Sequence, residues 1–199
     1  MAVLTALLNS MRRPPATTEQ PSRLLVDKRM HLFAAVGAGL IASISLLFAY
    51  YATLALLPTA TAYPATLYPY ADWATRLDLA QFVGTMIYPP IPTALTWWLG
   101  LTTLFGSLVS LGVVYALLLS WTLRTSSISY GVGFGAALFV ALALTITLAN
   151  GLHPAVLRNA LPDTGLFLLG WSALATLQLL GVHLLYGAVL GTVYQRLSR

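Results

Sequence analysis

Three histidines and five carboxylates, with no cysteine, are the side chains of this 199-residue sequence best suited to ligating a metal or moving a proton. His183 is the one set deep in an apolar stretch. No charged residue occurs from Thr164 to Gln195, and Tyr194 follows the histidine by eleven positions. At about 1.5 Å per residue that offset puts the imidazole about 16 Å along a helix, close to a bilayer centre. A polar side chain at such depth is a functional candidate. Its lone pair could ligate a haem iron or the magnesium of a chlorophyll-type pigment, or it could relay protons. The competing reading is a neutral ring hydrogen-bonded to a neighbouring helix, with Gln178, Thr145 or Thr147 as partners. No second histidine lies at comparable depth, so a bis-histidine haem within this chain is excluded.

The other candidates have plainer readings. His31 lies beside Lys28 and Arg29, as an interfacial residue near anionic headgroups does. His153 precedes Pro154 in a loop and has no metal-ligand spacing around it. Asp72, Asp78 and Asp163, with Arg76 and Arg158, could form a small catalytic or metal site. The same residues fit a surface pair from Asp72 to Arg76 and an N-cap at Asp78 before a short helix over Leu79–Met86. No HExxH, GxSxG, Walker or paired-carboxylate pattern is present, and the expectation is a non-catalytic protein without a metal site. Tyr63, Tyr68, Tyr70 and Trp73 lie in a proline-rich stretch that reads as an aromatic belt or as a surface for partner contact.

These side chains belong to a chain with 58% hydrophobic and 8% charged residues. A soluble domain carries about 25% charged residues, and this exterior could not be made wettable with so few. The net charge of +5 gathers at the chain ends, which argues against nucleic-acid binding and against disorder. Four charge-free runs are long enough to span a bilayer, which needs about 20 residues per helix. Prolines and asparagine-glycine breaks trim them to spans over 32–57, 93–121, 129–150 and 166–195, with Trp97, Trp98 and Trp121 as interfacial anchors.

Four spans place both termini and the loop Arg124–Ile128 on one side, together with eight of the ten basic residues. The positive-inside rule makes that side cytoplasmic and the membrane the cytoplasmic (inner) one. Residues 58–92 then form an outer loop containing the short amphipathic segment. Residues 1–30 form a cytoplasmic N-terminal segment. In it Met1–Met11 reads as a short interfacial helix with Leu4, Leu7, Leu8 and Met11 on one face, and Arg12–Arg23 as an extended, flexible linker.

Helices in lipid associate through small residues, and every span carries a small-xxx-small pair, whose partner is either within the chain or on another subunit. These are Ala35/Gly39/Ser43, Gly106/Ser110, Gly131/Gly135 and Gly187/Gly191. Gly112-Val-Val-Tyr115 and Gly191-Thr-Val-Tyr194 repeat at the ends of the second and fourth spans, as in two helix hairpins related by a pseudo-two-fold axis. Each tyrosine would sit near the cytoplasmic interface with its ring in lipid.

His183, Tyr186, Gly187, Gly191 and Tyr194 together form a His-x-x-Tyr-Gly-x-x-x-Gly-x-x-Tyr pattern. The segment Gly181–Tyr194 resembles the closing helix of an uncharacterised family of small four-helix prokaryotic integral membrane proteins, a domain of unknown function. Leu77–Gly84 is similar to that family's extracytoplasmic segment, and the resemblance covers about Ala34–Tyr194. The family's second span often carries a histidine eleven residues before its tyrosine, and Leu104 stands there in this chain. No known activity comes with the resemblance.

The sequence therefore predicts an all-α membrane protein, a four-transmembrane-helix bundle built as two pseudo-symmetric hairpins. Its expected role is that of an accessory or structural subunit of a larger respiratory or photosynthetic membrane complex, with the lipid bilayer and other membrane subunits as partners. The alternative is a pigment- or haem-binding protein using His183. A small channel or carrier is a third reading.

Overall fold

A computed structural model of the chain describes residues 20–56, 78–87, 93–122, 126–159, 161, 163–170 and 173–198. All regular structure among them is helical: α1 (Gln20–Leu56), α2 (Leu79–Ile87), α3 (Ala94–Thr122), α4 (Ile128–Asn150), α5 (Pro154–Leu157), a 3₁₀ turn (Leu166–Leu168) and α6 (Ala173–Leu197). Four helical segments are long and apolar enough to cross a membrane: His31–Leu56, Ala94–Leu119, Ile128–Asn150 and Ala173–Leu197.

Two boundaries differ from the sequence expectation. Gln20–Arg23, expected in an extended linker, already belongs to α1, with Pro21 in the first turn where its missing N–H leaves no helical bond unmade. The fourth spanning helix begins at Ala173 and not at Leu166. Gly165 has φ 64° and Phe167 φ 53°, and left-handed residues do not propagate a right-handed helix. The chain folds back there instead, with the Gly170 N–H donating to the Thr164 carbonyl at 2.9 Å. The Thr147 hydroxyl accepts the Phe167 N–H, and the Thr176 hydroxyl donates to the Phe167 carbonyl.

Helices α1 and α6 form the middle of the bundle; α3 packs on α1 and α4 on α6. Glycine lets the backbones approach at the crossings. A β-carbon on Gly112 of α3 would stand 2.7 Å from the Gly39 Cα of α1. On the other side Gly131 and Gly135 of α4 lie against the α6 backbone at His183, Gly187 and Gly191. Gly106, with Ser110, lies on the exposed side of α3, with open space where a β-carbon would be, and Gly112 makes the crossing to α1.

The repeated tyrosines are a correction. Tyr115 and Tyr194 are buried, and their rings meet edge to face at 5.9 Å inside the bundle instead of resting in lipid. The Tyr115 hydroxyl shares a 2.9 Å hydrogen bond with Ser126, whose own hydroxyl donates to the Gly191 carbonyl. The two hairpins differ, however, in how they meet. A strict two-fold would press α3 onto α4 as it presses α1 onto α6, yet α3 and α4 scarcely touch.

Candidate intramembrane binding site

The gap between α3 and α4 opens onto a cavity of about 220 Å³ at the heart of the bundle. Its side walls are Leu104, Ser107, Leu108 and Leu111 of α3 and Leu138, Ala141, Leu142 and Thr145 of α4. Each set recurs at three- and four-residue spacing and so forms one helix face. Behind them stand Leu46, Leu47, Tyr50 and Tyr51 of α1 and Leu179 and His183 of α6, with Leu79 of α2 completing the lining.

His183 is buried, at 5% exposure. Its Nδ1 lies 2.8 Å from the Leu179 carbonyl oxygen, one turn back on the same helix. A carbonyl only accepts, so Nδ1 carries the proton and the neutral ring keeps its lone pair on Nε2. That nitrogen takes no hydrogen bond from the described residues, and the residue lines the cavity. None of the expected partners reaches it. Gln178 donates to the Thr53 hydroxyl at 2.6 Å and to the Tyr50 carbonyl, Thr145 donates to Ala141, and Thr147 to Ala143. Phe139 lies edge to face with the imidazole at 6.2 Å.

The space in front of His183 tests the haem and chlorophyll-type readings. A cavity of about 150 Å³ holds one benzene ring. A volume of 220 Å³ therefore suits a single substituted ring and is too small to enclose a tetrapyrrole with four rings and a metal.

Most of the remaining polar candidates serve the end of the bundle opposite Ser198. Asp78 caps α2, accepting the Ala80 N–H at 2.8 Å, the Tyr51 hydroxyl at 3.2 Å and the Trp97 indole N–H. Burial pushes its carboxyl above the usual aspartate range, and those three donors pull it back in part. His153 is fully buried and stacks on Phe82 with ring centres 4.2 Å apart. Its Nε2 donates to the Phe82 carbonyl at 2.8 Å while Nδ1 accepts the Ala155 N–H that starts α5. Burial lowers its proton affinity below that of a free histidine. Asp163 accepts from the Asn150 amide and the Gly165 N–H. His31 meets the Tyr194 hydroxyl at the termini end. Among the described residues no three histidine or carboxylate groups converge as metal ligands would. Tyr63, Tyr68, Tyr70, Trp73, Asp72, Arg76 and the Met1–Met11 segment lie outside the described residues.

Sequence reasoning missed the cleft itself, and with it Leu104, Leu108, Leu142 and Tyr51 as wall residues. It also missed how closely α2 lies on α3, where Gly84 meets the Thr96 carbonyl and Gly100 the Ala80 carbonyl. Two glycines sixteen positions apart across Pro89, Pro90 and Pro92 were the available signal. Comparison with protein-family models, curated proteins and solved structures finds no match for the chain.

Proposed function

We propose that this chain is a non-catalytic integral protein of the cytoplasmic membrane, with both termini inside, that binds a small lipid-soluble molecule between α3 and α4. The observation that carries the reading is the separation of those two helices over a 220 Å³ apolar cavity in a bundle whose α1–α3 and α4–α6 crossings are closed by glycine contacts. Apolar walls that the chain's own side chains leave uncovered gain dispersion contacts when a ligand fills the space between them. Filling it from the lipid phase is favourable, and access through the gap requires no passage through water. The eight-to-two division of basic residues supports the orientation.

Thermal unfolding of the full chain in lipid nanodiscs, titrated with n-hexylbenzene, tests the reading. A saturable rise is expected, equivalent to about 2.7 kcal/mol at a hundred times Kd. Ala141→Phe, which fills the cavity, should abolish the rise. An unsaturable response, the same in both proteins, would mean that the cleft only holds acyl chains, and the reading would fall.

A second reading, the accessory subunit of a larger assembly, draws on Gly106 and Ser110. They form a small-xxx-small pair facing away from the bundle, where another helix could approach closely. Mild-detergent extraction and a native gel test it: migration far above 21 kDa, reduced by Gly106→Leu, would support the assembly, and a monomer-sized band would sink it.

A further inference from the structure

We infer that the cavity selects a hydroxyl-bearing ring, of the alkylphenol or hydroquinone kind, whose O–H donates to His183 Nε2. The inference rests on the binding reading above and adds the chemistry of the ligand. It follows from the directions of the hydrogen bonds already made around the cavity. The Leu179 carbonyl fixes the proton on Nδ1, so Nε2 offers a lone pair and no hydrogen. Turning the tautomer over would lose that bond and set two acceptors 2.8 Å apart.

Two groups on the wall that could donate to a ligand are otherwise engaged. The Tyr51 hydroxyl donates to Asp78 and the Thr145 hydroxyl to the Ala141 carbonyl. Tyr50 is turned to α2, where its hydroxyl accepts the Leu79 N–H at 3.0 Å. Ser107 can turn its hydroxyl either way and does not discriminate. The cavity thus presents a fixed acceptor among leucines. A ligand that is acceptor only, such as a quinone or an aryl ether, brings a lone pair to a lone pair. A phenol pairs both groups and leaves neither bare in a dry site. Sites built to bond a ligand hydroxyl reject the analogue that lacks it. The volume admits one ring, and an alkyl tail can pass out through the gap into the acyl chains.

The test compares 4-hexylphenol with 4-hexylanisole, which differ in the donor, on the full chain in nanodiscs. The phenol is expected to bind about tenfold more tightly, the equivalent of about 1.4 kcal/mol, within the range of one hydrogen bond. In His183→Leu the two probes should bind alike. Should that variant fail to fold, the ¹⁵N resonance of Nε2 in the unaltered protein gives the same answer, shifting with the phenol and not with the ether. Equal affinity for the two probes, or a phenol preference that leaves Nε2 unmoved, overturns the ligand class while the binding reading stands. Binding of neither probe overturns both.

Discussion

His153 and His183 are both buried imidazoles, and the fate of their second nitrogens separates them. His153 uses both, donating to Phe82 and accepting from Ala155, so its work is to tie α5 to α2. Replacing it with alanine leaves the Ala155 N–H unpaired, while the Phe82 carbonyl keeps the Thr85 hydroxyl, and a loss of about 1–3 kcal/mol in thermal or denaturant unfolding is expected. Its neutral form is the folded one. The unfolded chain takes up a proton near pH 6.5 and the folded chain only at lower pH, so stability should fall as pH drops from about 6.5 through the lowered value and stay level above it. His153→Asn, which keeps an acceptor for Ala155, should flatten that slope. Asp78 has the opposite sign, because its raised carboxyl favours the protonated folded state at low pH and loses that contribution as pH climbs. Asp78→Ala removes a helix cap and strands Tyr51 and Trp97, with an expected cost of about 2–4 kcal/mol. Asp78 as an N-cap was legible in the sequence, because its position before an apolar helix is a local signal. The partner of His183 was not, because it depends on which way the ring turns and on a gap between two other helices.

Charge-free runs and their prolines made the spanning elements readable, and three of the four agree with the sequence boundaries to within two residues. The fourth failed at its start, over residues 166–170, because that stretch is as apolar as a helix and nothing local announces a left-handed Phe167. Small-residue pairs show the same limit. Gly106 and Gly112 lie in one helix, and only tertiary packing decides that the second meets Gly39 while the first faces outward. Substitution should separate them. Gly131→Leu drives a side chain into the backbone around Gly187 and should prevent α4 from closing on α6, costing at least the about 1–3 kcal/mol of an overpacked core. Gly106→Ala should change monomer stability by no more than about 0.5 kcal/mol. Unfolding of the two variants in the same detergent is the check. The cleft was beyond the sequence for a related reason: Leu104, Leu108 and Leu111 are the same leucines whether they face lipid, a core or a cavity.

The bundle as a whole is two glycine-closed hairpins joined along α1 and α6 and parted along α3 and α4. Its orientation is open to a clean test, because the sequence has no cysteine. A single cysteine at Ser198 should react with an impermeant maleimide only in inside-out vesicles, and one at Gly151 only in right-side-out cells. The reverse pattern would invert the topology. The central claim is that the gap between α3 and α4 takes a lipid-soluble ligand. Photolabelling of the full chain in membranes with a single-ring aryl diazirine tests it most directly. Saturable label is predicted on Leu104–Leu111 and Leu138–Thr145, removed by excess 4-hexylphenol and by Ala141→Phe. Label confined to outward-facing residues such as Leu117 and Leu148, and indifferent to competitor, would contradict the account.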